Sequence, residues 1–170
     1  MSAPDDSPID ALLARAARSP GSPLPAPPRL RLAILTCMDA RIDPLALLAL
    51  APGDAHLIRN AGGIVDVGAL RSLAISQRML GTREVLVLQH TGCGMLGLDD
   101  EQFARDVERD SGRRPAWEPG GFADLDESVR GAVRALRAEP ALPHRGRVRG
   151  AILDLAGGGV REVAVPEVEG

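Results

Sequence analysis

A chain of 170 residues is long enough for one domain with a real core and too short for two comfortable ones. Apolar residues make up 45%, charged residues 25%, and the net charge is −3, so the composition is that of a globular protein with no expected nucleic-acid or membrane partner. Aromatic residues reach only 2% and tyrosine is missing, which makes the core aliphatic and excludes any mechanism that needs a phenol.

Residues 1–8, "MSAPDDSP", are acidic and proline-rich, with no basic start and no apolar stretch behind them. No apolar run approaches the roughly 18–20 residues a membrane span requires. A cytoplasmic location is therefore expected. Of the two cysteines, Cys37 and Cys93, neither then has a reason to form a disulfide, and metal binding or catalysis is the better expectation.

In chain order, residues 8–18 place Ile9, Leu12, Leu13 and Ala16 on one helical face, with Arg15 and Arg18 elsewhere and Pro8 suited to the first turn. Residues 19–28, "SPGSPLPAPP", forbid regular structure. The reading is an N-terminal segment, 1–28, of a protruding amphipathic helix and a proline-rich linker, followed by an α/β domain over 29–170. The apolar helical face has no obvious seat on its own domain, so a second subunit is expected to receive it.

"LRLAILTC" (30–37) reads as a central strand, "DPLALLALAPGD" (43–54) as a helix, and "AHLIRNAGG" (55–63) as a strand running into a glycine loop. "DVGALRSLAISQRMLG" (66–81) has helical spacing and a terminal glycine, and "EVLVLQHT" (84–91) reads as a third strand. Helices follow over 100–112 and 124–140, separated by an irregular stretch with Trp117, Gly120 and Gly121. Residues 148–166 read as a terminal β-hairpin around Gly157–Gly159. Strand–helix alternation predicts an α/β fold, a central and mainly parallel β-sheet with flanking helices. Ligands bind such sheets beyond the carboxyl ends of the strands. Cys37, the Arg59–Gly63 loop and the His90–Cys93 segment all fall on that edge.

His90 alone could be a packed core histidine, and Cys93 alone a small buried apolar residue. Two thiolates and an imidazole converging from two strand ends form a different object: a Cys₂His donor set with one position open, as in catalytic rather than structural zinc sites. Sulfur with imidazole favours zinc over magnesium or calcium. His56 at a strand start and His144 in a loop are poorly placed to complete the set. "CMDAR" (37–41) adds Asp39 and Arg41, where a carboxylate held by a guanidinium suits an oriented acceptor beside a metal.

"CMDAR", "RNAGG" and "HTGCG", in this order and spacing, resemble the β-class carbonic anhydrases over most of the chain, from about residue 30 onward. Its shortness, and its lack of the aromatic and tyrosine residues that plant-type members place around the pocket, make it similar to the compact bacterial, actinobacterial-like members. The resemblance implies Zn²⁺ on Cys37, His90 and Cys93, with water or Asp39 as the fourth ligand. It implies an Asp39–Arg41 catalytic dyad, a homodimer or tetramer, and reversible hydration of CO₂ to bicarbonate by hydroxide generated on the zinc. The loop of Asn60, Ala61, Gly62 and Gly63, together with Gly94, is expected to bring backbone close to that substrate. Two alternatives accompany this reading: COS or CS₂ hydrolysis at the same zinc, and a non-catalytic zinc-binding or thiol-sensing protein.

Overall fold

A computed structural model describes residues 7–17 and 21–166 of the chain. Arg18, the acidic start at 1–6 and the first linker positions, 19 and 20, lie outside the described residues. The elements run α1 (Pro8–Ala16), β1 (Leu32–Cys37), α2 (Pro44–Leu47), β2 (Ala55–Asn60), α3 (Val67–Leu80), β3 (Glu84–His90), α4 (Asp100–Ser111), α5 (Leu125–Ala138), β4 (Val148–Leu153) and β5 (Val160–Val163). Among the described residues the strands form one sheet in the order β2-β1-β3-β4-β5. The first three pairings are parallel, and β5 returns antiparallel on β4 as the expected hairpin.

Polar caps set the helix starts. The side chains of Asp43, Asp66, Asp99 and Asp124 each accept a hydrogen bond from a first-turn backbone N–H of α2, α3, α4 and α5. This satisfies donors that a helix start otherwise leaves unpaired, and it places negative charge at the positive end of the dipole. Helices α3 and α4 end on glycines in the left-handed region, Gly81 and Gly112.

The helix expected over 43–54 is instead a single turn, Pro44–Leu47. Leu50 N–H bonds the Leu45 carbonyl at 2.8 Å and Ala49 N–H bonds the Ala46 carbonyl at 3.3 Å, the paired bonds of a Schellman ending. The left-handed position of that motif, normally glycine, is held here by Ala49 at φ 52°. An alanine there carries no stop signal in the sequence. The apolar run is real, but Leu47, Leu48 and Leu50 pack on the sheet from an irregular segment.

The two sheet faces are covered differently. Val85, Val87, Ala33 and Val148 pack against Leu73 of α3 and Val133 and Leu136 of α5. On the other face Ile34, Leu88, Ala151 and Leu153 pack with Cys37, Cys93, Ile42, Met95 and Phe122, most of them from loops. In a strand, residues two apart share a face, so His90 stands on the loop-covered side with Leu86 and Leu88. Residues α1 contributes are all exposed, Ile9 at 62%, Leu12 at 54% and Leu13 at 63%. No helix among the described residues is long and apolar enough to cross a membrane.

Candidate metal centre

In-register pairing brings the strand ends together. Cys37 of β1 sits opposite Asn60 of β2, and His90 of β3 opposite Leu153 of β4. The turn after β3 then returns Cys93 to the same place. Cys37, His90 and Cys93 are buried, and one ligand atom from each lies within 4.8 Å of the others.

His90 is fully buried and its Nδ1 lies 3.0 Å from the Thr91 carbonyl. A carbonyl only accepts, so Nδ1 carries the proton and Nε2 keeps its lone pair. That Nε2 has no hydrogen-bond partner. A buried acceptor left unpaired costs stability, and so do two buried thiols asked to ionise. Burial pushes the Cys93 thiol up, and the nearby Cys37 adds to it. A thiophilic divalent cation between the three residues answers both problems: it takes the lone pair and stabilises the thiolates. The sulfur separation fits. The two Sγ atoms are 4.0 Å apart, against about 3.8 Å for two thiolates on one tetrahedral ion with bonds of about 2.3 Å.

Beside this cluster stands a bidentate ion pair. Arg41 donates from Nε to Asp39 Oδ1 at 2.9 Å and from Nη2 to Oδ2 at 2.6 Å, and its backbone N–H adds a bond to Oδ1. Nη2 also donates to the Gly92 carbonyl at 3.0 Å, tying the pair to the turn that carries Cys93. These bonds hold the Asp39 carboxyl well below the usual carboxylate range, so it is an anion at any physiological pH. Its Oδ2 lies 3.8 Å from His90 Nε2, at the edge of the donor cluster.

The glycine loop has a different geometry. Asn60 donates to the Ile64 carbonyl and to Asp66, and accepts from Ile64 N–H, so its amide is committed to closing the loop. Ala61, Gly62 and Gly63 form a 3-10 turn. Gly63 has φ +63°, and a Cβ there would meet the Thr36 carbonyl carbon at 2.9 Å and Cys37 N at 3.0 Å. It is the contact with β1 that requires glycine at this position. Gly94 follows Cys93, with open space where a Cβ would point.

Sequence reasoning missed the residues that hold these groups through backbone. Arg59 donates to the Cys37 carbonyl at 3.0 Å and to the Asp39 carbonyl at 2.7 Å, clamping the 37–41 turn from β2. Thr91 orients His90 by its carbonyl. Bonds to carbonyls leave no residue-type signature. His56 and His144 lie outside the cluster. The His56 ring bridges Ser76 at 2.8 Å and the linker carbonyl of Ala26 at 3.3 Å, a structural role.

Residues 32–112 match the family described as carbonic anhydrase. The chain is 45% identical over 141 residues to beta-carbonic anhydrase 1 of Mycobacterium tuberculosis, covering 83% of this chain and 86% of that one. It is 33% identical over 150 residues to a carbon disulfide hydrolase of an Acidianus species, covering 74% of this chain and 73% of the relative. The crystal structure of a carbonic anhydrase from Streptococcus mutans superposes with a TM-score of 0.82 at 39% identity, over 96% of this chain and 99% of that one. Fold, donor cluster and relatives agree, and the chain belongs to the β-carbonic anhydrase family.

Proposed function

We propose that this protein is a zinc-dependent carbonic anhydrase that interconverts CO₂ and water with bicarbonate and a proton. The observation that carries the reading is the unpartnered, fully buried Nε2 of His90, turned toward two buried thiols beside an ionised Asp39. Cys37, His90 and Cys93 would hold the zinc. When bound, the ion supplies a Lewis acid that brings the ionisation of water down to a pKa of about 7.

The chain's own residues supply orientation. Asp39 is ionised, so it accepts a hydrogen bond from the attacking oxygen and aims that atom's lone pair at the CO₂ carbon. Arg41 keeps the carboxylate in this role by holding both oxygens, which also keeps them off the metal. Arg59 and the Gly92 carbonyl fix the turns on which the pair rides. The Asn60–Gly63 loop and Gly94 offer backbone rather than bulky side chains at the rim, which suits a small linear substrate.

The exposed apolar face of α1 supports a homodimer or tetramer in which residues 1–28 form an arm over a partner and residues 29–170 form the catalytic unit. The acidic composition and the cytosol-compatible free cysteines support a cytoplasmic location.

Hydrolysis of CS₂ or COS is the second reading, favoured by the Acidianus relative. A non-catalytic zinc protein is disfavoured by the intact Asp39–Arg41 pair. Stopped-flow CO₂ hydration by zinc-loaded protein, run beside sulfide release from COS and CS₂, separates them. CO₂ hydration is expected to dominate, and sulfide release without CO₂ hydration would overturn the proposal.

A further inference from the structure

His90 is oriented by one atom, the Thr91 carbonyl oxygen, and Thr91 is itself pinned from every side. Its N–H donates to the Leu153 carbonyl at 2.9 Å. Its hydroxyl donates to Asp154 Oδ1 at 3.1 Å and accepts from Leu155 N–H at 3.0 Å. All three bonds reach the start of the β4–β5 turn. The next residue, Gly92, gives its carbonyl to Arg41. Two successive peptide groups, Thr91–Gly92 and Gly92–Cys93, therefore set the His90 ring and one anchor of the Asp39–Arg41 pair.

Asp154 organises the far side of this junction. Its Oδ1 also accepts from Ala156 N–H at 3.0 Å, and its backbone closes the turn through Gly158 N–H and the Gly159 carbonyl, each at 3.0 Å. The Gly157 and Ala156 N–H groups and the Thr91 hydroxyl hold its carboxyl below the usual carboxylate range, so these are bonds to an anion, stronger than neutral ones. The bond from Ala156 N–H is an Asx turn that helps close the hairpin, and the bond from the Thr91 hydroxyl is what the carboxylate adds toward β3.

We propose that Asp154 is a positioning residue for the metal centre, acting through the Thr91 hydroxyl to fix the peptide that orients His90. This inference rests on the zinc reading above. Partners bonded directly to a metal-ligating histidine typically change metal affinity or activity by about 10–100-fold. Asp154 stands one residue further out on an exposed turn, so an effect of about 3- to 10-fold is expected.

The test uses the full-length protein with zinc and with cobalt(II) as the metals. Zinc affinity is measured by chelator competition, the cobalt(II) form by its visible spectrum, and CO₂ hydration alongside. Asp154→Ala is expected to weaken zinc about 3- to 10-fold, to shift or broaden the cobalt bands, and to lower turnover by a similar factor. Asp154→Asn keeps an oxygen acceptor for Thr91 and Ala156 and is expected to restore most of the loss. Thr91→Val, which keeps the carbonyl but lacks the hydroxyl, should reproduce Asp154→Ala, and the double variant should be no worse than either single one. If Asp154→Ala does not fold, Thr91→Val carries the same expectation. Wild-type zinc affinity and an unchanged cobalt spectrum in Asp154→Ala or Thr91→Val would overturn the proposal, as would equal losses in the Ala and Asn variants. A wild-type protein that takes up no zinc would sink the reading of the site itself.

Discussion

The guanidinium of Arg41 grips Asp39 with two parallel hydrogen bonds, at 2.9 and 2.6 Å, while Asp39 Oδ2 stays 3.8 Å from the lone pair of His90. The carboxylate is thus within reach of the donor cluster and restrained from it. Arg41→Ala removes the restraint and leaves an anion free to coordinate. Turnover is expected to fall by two orders of magnitude or more while zinc content stays at the wild-type level, with roughly 3 kcal/mol added to the barrier. Wild-type activity should rise with pH through about 7, since ionised water is the nucleophile. Zinc analysis beside stopped-flow rates checks this, and full turnover at alkaline pH in Arg41→Ala would remove the pair from the mechanism.

Gly63 is where the loop leans on the first strand. A methyl there would press on the Thr36 carbonyl carbon at 2.9 Å and on Cys37 N at 3.0 Å, at a φ of +63° that side chains avoid. Both neighbours are backbone of the buried end of a central strand and cannot step aside. Gly63→Ala is expected to cost about 2 kcal/mol or more, from strain and overpacking together. Because Cys37 is one of the atoms displaced, zinc affinity should drop with stability. Thermal denaturation with and without added zinc reads both, and an unchanged melting temperature would show that the loop is not tight.

Much of this centre was legible in the sequence, because strand ends are legible. "LTC" and "LQH" close apolar runs with a cysteine and a histidine, and in a parallel sheet such ends share one edge. The N-terminal helix was equally plain in the spacing of Ile9, Leu12 and Leu13. The extent of α2 was not, because a left-handed alanine, Ala49, does the work a glycine would advertise. Arg59 and Thr91 escaped for another reason: they act on carbonyl oxygens, and any sequence offers those everywhere.

Asp54 gives a pH signature unconnected to the metal. Its buried carboxylate accepts from Arg29 Nε at 2.8 Å and from Ala51 N–H at 3.0 Å, and these bonds hold its pKa below the ordinary value. A carboxyl depressed in the folded state contributes stability that is present above its unfolded pKa of about 3.9 and is lost as pH falls through the lower folded value. Asp54→Asn should therefore melt earlier than wild type at neutral pH, and the two should converge under strongly acidic conditions. Melting curves across pH decide it; a gap that stays constant down to the lowest pH would mean the charge is not what matters.

The apolar face of α1 should matter to association and little to the single subunit, since Ile9, Leu12 and Leu13 are more than half exposed. Covering them on a partner contributes about 1 kcal/mol each, so deleting residues 1–20 should weaken the oligomer on the order of 100-fold for each arm removed. Sedimentation velocity over a dilution series measures this. Unchanged sedimentation would locate the subunit contact elsewhere.

X-ray absorption at the zinc edge, on wild-type protein and on Cys93→Ser, tests the assignment of the metal centre most directly. Stoichiometric zinc is expected in the wild type, with two sulfur neighbours at about 2.3 Å and lighter nitrogen or oxygen neighbours at about 2.0–2.1 Å. Cys93→Ser is expected to lose most of the metal, because a neutral hydroxyl is a poor substitute for a thiolate. Wild-type protein without zinc, a zinc shell lacking sulfur, or a Cys93→Ser variant that keeps its full complement would contradict that assignment.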